Sequence, residues 1–134
     1  FVLIDVCSRW VYVKAYEHMN SLQMLRFVRE AQRDASFHFS MLQSDHGPEF
    51  GKLFVSRIKK NHRFTRIGKP NDNAHVERFN RTIQEECLDK VECNVPVLNK
   101  AIKKYVHYYN HTRLHMGIAF LAPIQVINRV QAID

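Results

Sequence analysis

The chain has 134 residues, of which 46% are hydrophobic and 25% charged, with a net charge of +7. That length supports one domain with a real core, and the balance excludes a disordered chain. Twenty Lys and Arg are spread along the sequence, which favours a polyanionic partner over an acidic or neutral one. Cys7, Cys87 and Cys93 form no CxxC pair, so neither a disulfide framework nor a structural zinc site is indicated, and a reducing, cytoplasmic setting is expected. No apolar run approaches the roughly 20 residues of a membrane span.

In chain order, Phe1 to Val6 and Trp10 to Tyr16 are β-rich runs with a short gap, which predicts an antiparallel hairpin. Phe1 stands in a strand-like run without Met, so a fragment of a longer protein is expected. Leu22, Leu25, Val28 and Ala31 recur at helical spacing, with Asn20 or Ser21 as N-cap, predicting a helix over about 20–34. Phe39 to Gln43 reads as a short strand delivering Asp45. Gly47 supplies a turn and Pro48 suits a first helical position, so a helix carrying Glu49 and burying Phe50, Leu53, Phe54 and Ile58 is expected. Arg63 to Ile67 is a further strand, followed by the polar loop 68–72.

The next helix buries Val76, Phe79, Ile83 and Cys87, while Asn73, Glu77, Arg81 and Gln84 share another face. After Pro96, Leu98, Ala101, Ile102, Tyr105 and Tyr109 form a core stripe, opposite a basic one of Lys100, Lys103, Lys104 and His107. Pro123 starts a last helix through Val130. Trp10 and the tyrosines are expected in the core.

Chemistry concentrates in Gln43 to Phe50 and Pro70 to Arg81. Asp45 and Glu77 place one acid at a strand end and one at a helix start. Two carboxylates aimed at one point raise each other's pKa unless a cation lies between them, and their hard oxygens suit Mg²⁺. Taken singly, Asp45 is equally a turn residue and Glu77 a dipole-favoured first-turn acid. His107, His111 and His115 have helical spacing but no acid or Cys beside them, and are taken as packing or surface residues.

The segments Ser44 to Phe50, Pro70 to Thr82 and Tyr109 to His115, with Pro123, resemble the integrase-like catalytic core of DDE transposases, the bacterial insertion-sequence relatives of retroviral integrase. The resemblance implies an α/β, ribonuclease H-like fold with a mixed sheet flanked by helices. It makes residues 1–134 one N-terminally truncated catalytic core domain. It also implies DNA transposition or integration, in which donor-end cleavage and strand transfer proceed by phosphoryl transfer at a two-metal Mg²⁺ or Mn²⁺ site. Carried over by position, Asp45 and Glu77 are the second and third acids of the triad, catalytic and metal-binding. Asn73 and Arg81 are positions near DNA, Arg78 stays unassigned, and a homodimer or larger assembly on DNA is expected.

Two departures stand out. Asp45 and Glu77 are 77 − 45 = 32 positions apart, slightly short for the family. Asp5 matches the second strand and is read as structural, so the first acid and its central strand are expected from the parent protein, and this fragment alone is expected to be inactive. The alternatives are a catalytically dead DNA-binding or dimerising remnant, and a plain nuclease.

Overall fold

The computed structural model describes residues 1–133. Strands β1 (Val2–Ile4) and β2 (Val11–Val13) form the expected antiparallel hairpin, with Leu3 opposite Tyr12. Its turn needs no Asn-Gly, because Asp5 Oδ2 accepts from both the amide and the hydroxyl of Ser8, and Arg9 takes the left-handed conformation at φ 66°. Helix α1 (Ser21–Asp34) is capped by Asn20, whose side chain accepts from the Gln23 amide 2.9 Å away. It buries Met24, Leu25, Phe27, Val28 and Ala31.

Strand β3 (Met41–Ser44) starts two residues later than predicted and pairs in parallel with β4 (Asn61–Phe64). The prediction of a strand at 63–67 therefore lay too far along the chain, and Ile67 is 91% exposed. The expected helix from Pro48 is broken. Pro48–Phe50 is one 3₁₀ turn, Gly51 is extended, and α2 spans only Lys52–Arg57. Leu53, predicted to be buried, is 39% exposed, because the break rotates it off the Phe54 face.

Helices α3 (Ala74–Glu86), α4 (Val95–His111) and α5 (Pro123–Ile133) complete the chain. Two apolar clusters result. One joins α3 and α4 to β2 through Phe79, Ile83, Ile102 and Tyr109 around Val11. The other joins α1 to α2 through Phe27, Val28 and Phe54. Trp10 is in the core as expected, but Tyr108 is not, at 47% exposure.

The expected mixed sheet is present as two separate pairs, one antiparallel and one parallel, and no ladder joins β1 to β3 among the described residues. The outer edge of β2 is closed by side chains. Asn110 Oδ1 accepts from Val11 N and its Nδ2 donates to Val11 O, both at 2.9 Å. Asn99 repeats the arrangement on Ala15. Two amides of one helix thereby replace a neighbouring strand.

Candidate active site

Asp45 follows β3 directly and is exposed. Its Oδ1 accepts from the Gly47 amide at 2.8 Å, which fixes the turn. Gly47 lets the Glu49 carboxylate lie close to the turn, since a Cβ there would lie 2.8 Å from Glu49 Oε2 and displace that side chain. Glu49 itself is 8% exposed; its first-turn position was readable, its burial was not.

The loop before α3 is held by one acid. Asp72 accepts from the amide, Nε and Nη2 of Arg66 at 2.9 to 3.1 Å. The Arg66 guanidinium, followed by the Arg66 amide, holds the Asp72 carboxyl well below the usual range. Gln43 Nε2, two residues before Asp45, donates to Asp72 O at 2.6 Å. That bond ties the end of β3, which leads to Asp45, to the turn that leads into α3 and Glu77.

Glu77 lies on the exposed face of α3, in a shallow groove it shares with Arg78, Arg81, Thr82 and Glu85. Glu77 and Arg81 therefore share a face, as their spacing predicts. Neither Asp45, Glu77, Arg78 nor Arg81 is in an ion pair among the described residues. Asn73 stands at the N-cap of α3 but makes no capping bond. An Asn in that position ordinarily satisfies a helix amide, so its side chain is left for another partner. His75, in the first turn, has its pKa lowered by burial and then by the charges of Arg9 and Arg78, a local concentration of positive charge beside Glu77.

As to metal, Asp45 and Glu77 are hard-oxygen donors of the right kind. Among the described residues no group of three His, Cys, Asp or Glu is placed to hold an ion, so Asp45 and Glu77 suit a metal by donor type alone. Asp5, the other nearby acid, is engaged by Ser8.

The C-terminal signature is structural in its contacts. Arg113 Nε and Nη2 donate to Glu86 at 3.1 and 2.7 Å, and Tyr105 donates to the same carboxylate at 2.5 Å. His115 packs its ring 4.4 Å from that of Tyr109. Glu86 was missed from sequence, since nothing local pairs it with a residue 27 positions on. The Arg113 guanidinium, then the Tyr105 hydroxyl, hold Glu86 below the usual carboxylate range against the effect of burial. A carboxyl depressed on folding adds stability above its unfolded pKa, about 4.3, and that stability is lost as pH falls through the lower folded value. Urea midpoints are therefore expected to drop on acidification below pH ~4.3, and Glu86→Gln should flatten that part of the profile.

Residues 59–123 match the integrase core domain family. The structural neighbours give the chain the ribonuclease H-like fold of integrase catalytic cores. The chain is 34% identical over 95 residues to a protein named as the InsK transposase of insertion sequence element IS150 of Escherichia coli K12, covering 66% of this chain and 33% of that one. It is 26% identical over 127 residues to an uncharacterised protein of insertion element IS407 from Burkholderia multivorans, covering 91% and 46%. The chain thus spans a third to under half the length of these relatives. Among solved structures, the trimeric form of the HTLV-2 integrase catalytic core in complex with magnesium aligns with TM-score 0.73 at 21% identity, over 93% of this chain and 81% of that one. The BIV integrase catalytic core aligns with TM-score 0.70 at 17% identity, over 98% and 86%. No helix among the described residues is long and apolar enough to cross a membrane.

Proposed function

We propose that this domain contributes the second and third acids of a DNA-joining enzyme of insertion-sequence transposase type, acting in the cytoplasm on transposon ends and target DNA. What supports this is that Asp45 and Glu77, both exposed and outside any ion pair among the described residues, follow the end of β3 and open α3, two segments that the Gln43 to Asp72 bond ties together. Asp45 and Glu77 would hold Mg²⁺ or Mn²⁺ together with a third carboxylate supplied from outside the described residues. Bound divalent ions supply an activated oxygen nucleophile and charge stabilisation in phosphoryl transfer. Arg81 and Asn73, four positions to either side of Glu77, would hold the DNA backbone and a nucleotide of the donor end. The complexes of the HTLV-2 core in dimeric and trimeric forms support self-association here as well.

The test that separates this from a plain nuclease uses a labelled, pre-cut donor end and supercoiled target in Mg²⁺ or Mn²⁺, with the longest native chain carrying residues 1–134. Joined products longer than the donor are expected. Shortened products alone would replace joining by hydrolysis, and DNA binding with no chemistry would leave only a DNA-binding remnant.

A further inference from the structure

We propose that His107 and His111, on the exposed face of α4, form a two-imidazole chelate for a late first-row ion such as Zn²⁺, Ni²⁺ or Cu²⁺, separate from the acid pair and indifferent to Mg²⁺. The two residues are four positions apart within one helix, and side chains at that spacing lie one above the other on one face. Their ring centroids are 4.3 Å apart, with the planes inclined by 21°. Two nitrogens on one ion lie roughly 3 Å apart, given metal–nitrogen bonds of about 2.0–2.1 Å. Near-parallel rings at the observed separation need only lean together at one edge. That is a rotation about χ2, a soft torsion in His.

A hydrogen bond has already chosen the tautomer of one ring. His111 Nδ1 lies 3.0 Å from His107 O. A carbonyl can only accept, so Nδ1 carries the proton and the lone pair is on Nε2. Metal-binding imidazoles ordinarily give their other ring N–H to a carbonyl or carboxylate, which fixes the ring and makes the free nitrogen more basic. His111 has that support in place before any ion arrives. Both residues are exposed, and neither is in an ion pair among the described residues, so binding displaces no charged partner.

The surroundings select the ion. Helix α4 carries no Asp or Glu, and no third His, Cys, Asp or Glu among the described residues joins a group that could hold a metal. Water fills the remaining positions, which makes a weak, exchangeable site and not a closed four-ligand one. Imidazole suits Zn²⁺, Ni²⁺ and Cu²⁺, whereas a hard ion finds no oxygen donor to prefer. Lys103 and Lys104, exposed a turn earlier on the helix, repel any cation, so binding depends on both imidazoles together. His115 stands at the same spacing from His111 but does not contribute. Helix α4 ends at His111, and the His115 ring packs 4.4 Å from that of Tyr109. The chelate is independent of the proposed function, whose acids take hard ions.

The test titrates the longest native chain carrying residues 1–134 with zinc, nickel or copper(II) chloride by calorimetry, in excess Mg²⁺. His107→Gln, His111→Gln, the exposed His38→Gln and Asp45→Asn are run beside it. One binding step per chain is expected to depend on the pair, tightest for Cu²⁺. Each of the first two substitutions should weaken that step about tenfold or more, at least what loss of an outer partner costs a metal site. His38→Gln and Asp45→Asn should leave it unchanged, and circular dichroism should show all four variants folded, since each replaced side chain is exposed. Long-range ¹H–¹⁵N spectra of the rings should show Zn²⁺ shifting His111 Nε2 while Nδ1 keeps its proton. Binding unchanged in both His107→Gln and His111→Gln, loss in His38→Gln or Asp45→Asn instead, displacement by Mg²⁺, or coordination through His111 Nδ1 would each overturn the chelate.

Discussion

Asp45→Asn and Glu77→Gln are each expected to lower metal-dependent cleavage and joining of donor DNA on the order of 10³-fold or more, a loss of about 4 kcal/mol of transition-state stabilisation. Both substitutions keep side-chain shape and remove one charge. Both acids are exposed and outside any ion pair, so folding should be little affected. Asn in place of Asp45 can still accept the Gly47 amide that holds the turn. DNA affinity measured at fixed salt should be unchanged or slightly higher, because a negative charge next to Arg78 and Arg81 has been removed. Asp72→Asn is the informative contrast. It removes the carboxylate that clamps Arg66, so it should loosen the loop ahead of α3 and reduce activity and DNA affinity together. Activity surviving in both the Asp45 and Glu77 variants would sink their assignment. Activity surviving in one alone would move that role to another acid, with Glu49 and Asp5 the first to try.

How far these features could be read from sequence depended on the range of the interaction involved. The N-cap of α1 and the Phe79, Ile83, Cys87 stripe of α3 follow from residues within one or two turns, and both stand as predicted. The start of the Pro48 turn was equally local, but the interruption at Gly51 was not, because it follows from how Phe50 and Phe54 both reach the α1 cluster. Asp45 and Glu77 were each visible from their flanking residues. The tie between the segments that carry them was not, since it is Gln43 reaching Asp72 over 29 positions. Glu86 was not singled out from sequence, and Asn110 entered only as part of the Tyr109 to His115 segment, with no role of its own. What makes each matter is a partner 27 or 99 positions away, and no pattern of spacing encodes that.

Asn110→Leu should be the most destabilising single change in the described chain outside the apolar core. Asn110 is 2% exposed, and its amide satisfies both the N–H and the C=O of Val11, itself fully buried. Leucine has similar bulk but leaves two backbone groups without partners where water does not reach. Each costs about 1–3 kcal/mol, so a loss of roughly 2–6 kcal/mol is expected, a large share of the ~5–15 kcal/mol typical of a domain. Urea unfolding followed by far-ultraviolet circular dichroism reads it directly. Asn99→Leu breaks the same pair of bonds at Ala15, where both residues are only half-buried. Water can replace the lost amide there, so the cost should be no more than about half as large. Equal losses would mean that the effect lies in α4 packing and not in the strand edge. A loss under ~1 kcal/mol for Asn110→Leu, the size of an ordinary exposed hydrogen bond, would mean that β2 does not depend on α4 for its closed edge.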